Sequence, residues 1–265
     1  MTLSEIRRRY YDAGRALPKE LESALLDDPR KGARTLLAAF ERRRKKNRAE
    51  GQRLRKILRY ERALWSTGVT RIAGVDEAGM SPLAGPVIAA ACILPVEHRI
   101  PRVDDSKKLD AKVREELAEV IRNEAVAWGI GRVEPEEIDA LNIYHAGLLA
   151  MKRAVQALDP APEHLLVDAR PVDLPIPQEA IIKGDAKSLS IAAASILAKT
   201  TRDNIMIAYD AEYPGYGLKQ HKGYPVRSHQ DALMKLGATP IHRRSFKAVR
   251  LALGIEPEQL GLGLE

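Results

Sequence analysis

Four acids stand out by position. In the stretch GVDEAGMSPLAGP, Asp76 and Glu77 close an apolar run and are followed at once by glycines and prolines. Asp168 ends the apolar run HLLVD, and Asp185 follows EAIIK inside the segment KGDAKS. If those runs are neighbouring strands, their ends bring the four carboxylates together. Strand neighbours point to opposite faces, so Asp76 and Glu77 share one site only where the strand ends or bends, and Ala78-Gly79 allows that. Four packed carboxylates cannot all stay ionised unaided, because like charges raise one another's pKa. Divalent cations remove the conflict: hard oxygen ligands suit Mg²⁺ or Mn²⁺, and such a site holds two ions about 3.5–4 Å apart. One ion would activate water and the other would stabilise the leaving oxygen of an in-line phosphoryl displacement. Taken singly, Asp185 reads equally as a helix cap and Asp168 as a turn residue. The set of four at strand ends is what points to a site.

Nearby segments hold what such a site needs. DDSKKL offers the hydroxyl of Ser106 and the ammonium groups of Lys107 and Lys108. KGDAKS sets Lys183 and Lys187 beside Asp185, and Ser188 opens a helix whose N-terminus can hold a phosphate. HKGYPVRSH places Tyr224 in a basic loop, where its ring can stack on a sugar or base. Each of these also reads as a solvated turn or a packed loop residue. GDAKS lacks the GxxxxGK[ST] spacing of a phosphate loop. His221 and His229 have no cysteine partners and no i, i+4 spacing, which argues against zinc.

The elements that must position these groups follow from periodicity. RIAGVDEAG, VIAAACIL and AVAWGIGRV are short, apolar and bounded by glycine, and predict three strands; HLLVD and EAIIK predict two more. AKVREELAEVIRNEA, EEIDALNIYHAGLLAMKRAVQAL and SLSIAAASILAKTTRDNIMIAYD predict helices. The expectation is an α/β fold with a mixed sheet of about five strands. A catalytic domain over residues 69–265 would end in C-terminal helices at DALMKLG and SFKAVRLAL. Residues 1–68 show helical spacing of Leu36, Leu37 and Phe40, then Leu54, Ile57 and Leu58, and predict a separate helical extension.

Charge is unevenly spread along the 265 residues, whose formal net charge is +7. Residues 41–62 hold eleven Lys or Arg against three Glu, a net of +8. Residues 219–250 come to +7 and residues 71–218 to −7. An acidic centre between basic segments fits a carboxylate site served by arms that hold a polyanion, although 41–62 also reads as a solvated helix face. No apolar run approaches the roughly 20 residues that span a bilayer, and the start carries charges where a signal peptide would need an apolar stretch. A cytoplasmic monomer with no membrane association is expected. The lone cysteine, Cys92, sits in VIAAACIL and reads as a small core residue.

Taken together, GVDEAG with PLAGP, DDSKKL, EEIDALNI with AGLLAMKRAV, KGDAKSLSIAAASILAKTTRD, HKGYP and PIHRRSF closely resemble bacterial ribonuclease HII over residues 70–250. The helical start with its DDPRKGA segment is similar to the extension that some bacterial members carry. The resemblance implies a ribonuclease H-like fold. It further implies hydrolysis of RNA within an RNA/DNA hybrid, or 5′ of a ribonucleotide embedded in duplex DNA, leaving a 3′-hydroxyl and a 5′-phosphate. The family's four metal-binding acids fall on Asp76, Glu77, Asp168 and Asp185. Its sugar-contacting tyrosine falls on Tyr224, and its phosphate-contacting lysines on those of DDSKK and KGDAKS. One motif departs. The family has Gly-Arg-Gly after DEA, whose backbone reads the ribose 2′-hydroxyl, whereas this chain has Gly79, Met80 and Ser81. Met80 brings no guanidinium to a phosphate, and Ser81, held extended by Pro82, does not take the positive φ open to glycine. Main-chain recognition tolerates a changed side chain, so ribonucleotide binding is expected to persist with altered stringency. Two other readings stay open: a hydrolase needing runs of RNA, and a non-catalytic nucleic-acid binder. The second gains nothing from clustered negative charge near phosphates.

Overall fold

The five apolar runs form one mixed sheet in a computed structural model that describes residues 1–98, 100, 102, 103, 106 and 109–255. The strands are β1 (Ile72–Ala78), β2 (Val87–Ile93), β3 (Ala127–Val133), β4 (His164–Asp168) and β5 (Gln178–Ile181), in the order β3-β2-β1-β4-β5. β1, β2 and β3 pair antiparallel, while β4 runs parallel to both β1 and β5. The helices are α1 (Leu3–Ile6), α2 (Lys19–Leu26), α3 (Lys31–Ile57), α4 (Arg59–Trp65), α5 (Ala111–Glu124), α6 (Pro135–Leu141), α7 (Ile143–Gln156), α8 (Leu189–Glu212), α9 (Leu218–His221), α10 (Arg227–Leu236) and α11 (Lys247–Ala252). The chain divides into two units, Met1–Lys56 and Ile57–Glu265.

In the second unit, strand alternation assigns the two faces of the sheet. Ala73 and Val75 of β1 join a core with Ala146, Ala150, Met151 and Ala154 of α7. Ile72, on the other parity, packs with Ile191 of α8. Gly74 shares that parity and lets α8 lie close, since a Cβ there would sit 2.0 Å from the Ser190 carbonyl carbon. Asp76 is next in this series, so its side chain faces α8. Cys92 is fully buried in β2, and burial pushes its thiol up to about 12. No helix among the described residues is long and apolar enough to cross a membrane.

Two elements depart from the expected boundaries. The helix expected over 136–158 is broken into α6 and α7 at Asn142, whose φ is 67° and whose side chain accepts hydrogen bonds from the Tyr144 and His145 amides. The positive φ with an extended ψ of 162° ends α6, and the Asn142 side chain caps the new helix, which outweighs the continuous apolar spacing. The strand expected over EAIIK stops at Ile181: Ile182 is exposed, and Lys183 has φ 57° and leads into a 3₁₀ turn, Gly184–Ala186.

The first unit is helical. α1 opens with a capping box between Thr2 and Glu5 and runs into a π-helical segment, Arg7–Asp12. Ile6, Leu17, Leu25, Ala33, Leu36, Leu37 and Phe40 form its core. Arg43, one of the basic residues expected on a solvated face, turns inward instead. Its guanidinium donates to the Tyr10, Tyr11 and Arg15 carbonyls and lies 5.0 Å from the Tyr11 ring centroid.

Candidate active site

Parallel pairing of β1 and β4, in the register Val75 to Val167, makes Asp76 and Asp168 neighbours at adjoining strand ends. Asp76 is 5% exposed. Burial, then the Glu77 carboxylate, and to a smaller degree the Asp168 carboxylate push the Asp76 carboxyl well above its ordinary value, against a hydrogen bond from Ser195. The Glu77 amide also donates to Asp76 Oδ1 at 2.8 Å. Asp168 Oδ1 accepts from the Gly184 amide at 2.7 Å. Asp185, also 5% exposed, is the next residue on that turn. The positive φ of Lys183 folds the chain back, so β5 delivers Asp185 beside the end of β4.

Among the described residues, no three His, Cys, Asp or Glu side chains are grouped so as to hold an ion as they stand. The donor set nevertheless suits a hard divalent cation. A buried carboxyl repelled by two neighbouring carboxylates is relieved by a counter-ion with oxygen affinity.

A cleft of about 190 Å³ opens on this edge, lined by Asp76, Glu77, Gly79, Met80, Ser81, Ser106 and Tyr224. Ser195 and Lys199 of α8 complete its wall. Ser195 bonds Ser106 Oγ at 2.9 Å as well as Asp76, so a hydroxyl chain runs from the 106 loop to the buried acid. Lys199 lies 5.6 Å from the Tyr224 ring centroid and 2.7 Å from Asp203 Oδ1. A groove of about 560 Å³ shares Lys199 and Tyr224 and adds Arg114 and Lys222. Lys183 is exposed and Lys187 half-buried on the Asp185 turn, off the cleft wall. Lys107 and Lys108 lie outside the described residues.

The loop after β1 is held from behind by two fully buried arginines. Arg243 donates to the carbonyls of Gly79 at 2.7 Å, Met80 at 3.3 Å, Pro82 at 2.8 Å and Gly85 at 3.0 Å. Arg202 donates to Ala84 and Pro86, each at 3.1 Å, and to Lys222 at 3.0 Å. Burial lowers Arg202 to about 10 and Arg243 to about 9, so both remain cationic at neutral pH. A trans peptide sets N–H opposite C=O, so carbonyls turned to Arg243 leave the Met80 and Ser81 amides facing away from it. Gly79, at φ 101°, has no room for a Cβ, which would sit 2.3 Å from Arg202 Nε. Met80 does not reach out of the loop: its thioether packs toward Gly147 of α7 and onto the core.

Sequence reasoning missed Ser195, Lys199, Arg202 and Arg243. The signal for three of them was available, since 195, 199 and 202 recur at four and three residues on one helix face. It also overestimated one anion site. The N-terminus of α8 is filled by Glu61 of α4, whose Oε1 accepts from Ser188 Oγ at 2.6 Å and from the Ser190 amide at 3.0 Å. Glu61 is 1% exposed, so a buried carboxyl already occupies the place expected for a phosphate.

Tyr224 is anchored by a chain of neutral imidazoles. His229 Nδ1 lies 3.0 Å from the Tyr224 carbonyl and must donate to it, which leaves His229 Nε2 as an acceptor. His242 Nε2, 3.2 Å away, is then the donor, and His242 Nδ1 accepts from the Thr239 amide at 3.1 Å. His221 stacks on His229 at 4.5 Å between centroids.

The chain is similar to known proteins in both sequence and fold. The Ribonuclease HII family model matches residues 73–249, and the Ribonuclease HII N-terminal domain model matches residues 2–65. A Ribonuclease HII of Anaeromyxobacter sp. (strain Fw109-5) is 62% identical over 260 residues, covering 98% of this chain and 82% of the relative. The ribonuclease H2 structure from Pyrococcus horikoshii OT3 has TM-score 0.60 and 26% identity, covering 69% of this chain and 96% of that one. Bst-RNase HIII in complex with Mn²⁺ shares the fold at TM-score 0.54 and 19% identity, over 71% and 70% of the two chains.

Proposed function

Since the chain belongs to the ribonuclease HII family of endoribonucleases, we propose that it hydrolyses the phosphodiester 5′ of ribonucleotides, both in RNA/DNA hybrids and embedded in duplex DNA. The products are a 3′-hydroxyl and a 5′-phosphate. The observation that carries the reading is the buried Asp76 carboxyl beside Glu77 and Asp168, at the floor of a cleft walled by Tyr224 and the Gly79-Met80-Ser81 loop. Asp76, Glu77, Asp168 and Asp185 would hold two Mg²⁺ or Mn²⁺ ions. Bound there, the ions supply an activated water and charge stabilisation at the leaving oxygen. The protein's own groups position the strand. Tyr224 offers its ring to the sugar beside the ribonucleotide, and the Met80 and Ser81 amides, turned from Arg243, are placed to meet the 2′-hydroxyl. Ser106, Lys107, Lys108, Lys183 and Lys187 serve the flanking phosphates.

The test is cleavage of three labelled strands, each with and without Mg²⁺ and Mn²⁺: DNA with one ribonucleotide, RNA paired to DNA, and all DNA. Metal-dependent cuts 5′ of the ribonucleotide in the first two are expected. Cleavage of the RNA strand alone would replace this reading with a hydrolase that needs runs of RNA. Binding without cleavage of any strand would leave only a nucleic-acid binder.

A further inference from the structure

The first unit uses some of its cations internally and leaves others aligned. Arg43 is spent on the Tyr10, Tyr11 and Arg15 carbonyls, Arg30 pairs with Asp28, and Arg44 pairs with Glu22. Arg7 approaches Asp12 at 3.7 Å and Arg34 donates once to the Pro29 carbonyl at 2.9 Å, and each guanidinium, exposed and with five N–H groups, keeps further donors. Lys31, Arg34 and Arg42 are exposed on α3 at positions 31, 34 and 42, which with Ala38 follow spacings of three, four and four on one helix face. Two adjoining grooves, of about 660 and 530 Å³, lie along this face and share Lys31, Thr35 and Arg42. Arg7 of the π-helical segment lines the larger one and Arg34 the smaller. No Asp or Glu lines either groove.

We propose that this groove is a second nucleic-acid site, holding the phosphate backbone of duplex DNA through Arg7, Lys31, Arg34 and Arg42, with the Thr35 hydroxyl as a further donor. It rests on the reading that the enzyme works on duplexes. From Lys31 to Arg42 is eleven residues, about 16 Å of helix. At 3.4 Å per phosphate along one strand, that length matches roughly five phosphates. Guanidinium groups fork onto phosphate oxygens, and the absence of lining acids removes the repulsion that a polyanion would otherwise meet. An anionic membrane is a poorer occupant, because surface-binding helices insert an apolar face. The apolar face of α3 is already committed: Ala33, Leu36, Leu37 and Phe40 are buried in the core of the unit.

The experiment measures duplex binding by the full chain without divalent metal, over a salt series, with an all-DNA duplex and with one containing a single ribonucleotide. The groove variant is Lys31→Gln with Arg34→Gln and Arg42→Gln, substitutions that keep good helix formers on exposed positions. A charge-matched control carries Lys112→Gln, Arg122→Gln and Lys152→Gln on the other unit. Expected for the groove variant is a tenfold or greater loss of affinity at low salt on both duplexes. The slope of log K against log salt should fall by about 2 to 3, near 0.9 per phosphate released. Its KM should rise while the single-turnover rate at saturating substrate is unchanged. An unchanged slope, or an equal loss in the control, overturns the proposal. So does loss of binding to anionic phosphatidylserine vesicles with duplex binding intact. Because the binding arms need no cleavage, failure of the catalytic reading shows separately, as wild-type protein that binds duplexes and cuts none.

Discussion

At the scale of single residues, Asp76 sits in an electrostatic setting that disfavours its charged form. It is buried, it lies beside two other carboxylates, and its carboxyl is pushed upward by all three circumstances. Such a group is kept for function at some expense of stability. Asp76→Asn retains an oxygen that can accept from the Glu77 amide and from Ser195, while the charge disappears. Cleavage of a singly ribosubstituted duplex should drop by about 10³-fold or more, with a thermal midpoint equal to or above that of the wild type. Retained activity would remove Asp76 from the site, and a lowered midpoint would show that the charge is not a source of strain. A second residue-scale prediction concerns Met80 and Ser81. Met80 fills space beside Gly147, and Ser81 departs from the Gly-Arg-Gly motif that the sequence otherwise resembles. Met80→Arg with Ser81→Gly should increase the preference for ribonucleotide-containing over all-DNA substrate, read as a ratio of kcat/KM values. An unchanged ratio means that the backbone amides alone set the preference, independently of these side chains.

At the scale of elements, Glu61 and the imidazole chain each tie one segment to another, and pH acts on them with opposite sign. Burial raises the Glu61 carboxyl above its ordinary 4.5, so between that value and its folded value the native state binds the extra proton and stability falls as pH rises. Glu61→Gln lacks this term. The wild type's advantage over the variant, measured by urea midpoint, should therefore shrink as pH rises from 4.5, and a constant difference would refute it. His242 is pushed down to about 4 by burial and by His229, and burial lowers His229 as well. The unfolded chain protonates His242 below about 6.5, whereas the folded chain does so only near 4. Stability from this residue is then full above about 6.5 and lost as pH falls toward 4, by about 1.4 kcal/mol per pH unit, and the lowered His229 acts in the same direction. A urea series in the Glu61→Gln background isolates this slope, and equal midpoints at pH 7 and pH 5 would exclude it. These couplings also mark the limit of what the sequence displays. Strands were legible because β-branched and small apolar residues alternate or run together, and the acids were legible because they end those runs. The α6–α7 break was hidden, since the apolar spacing runs through Asn142 and only the backbone at that residue changes. Glu61 was hidden for a different reason: its partners Ser188 and Ser190 lie far along the chain, and no local pattern records a cap supplied by another helix. Arg243 was obscured likewise, because an arginine in a basic segment looks like surface charge until its carbonyl partners are known.

At the scale of the whole molecule, the question is what the basic helical start contributes, and the structure separates two deletions that look equivalent in sequence. Removing residues 1–56 takes away one complete unit with its own core. Removing residues 1–68 also takes α4, and with it the Glu61 cap on α8 and the packing of Tyr60, Leu64 and Trp65 on Ile72, Leu166, Ile181 and Ile191. Two donors, Ser188 Oγ and the Ser190 amide, would lose a buried partner, at about 1–3 kcal/mol each. The uncovered apolar side chains would add a similar amount apiece. The shorter deletion should therefore keep the thermal midpoint of the catalytic unit and its single-turnover cleavage rate. Its duplex affinity should fall, with a flatter dependence on salt, because phosphate contacts that release counterions have been removed. The longer deletion should lower the midpoint by many degrees and depress activity through instability. Paired melting curves and salt-series binding on the two truncations check both statements. Equal melting would show that α4 does not brace the sheet edge, and an unchanged salt slope in the shorter truncation would return the basic helix to a solvated face with no part in holding nucleic acid.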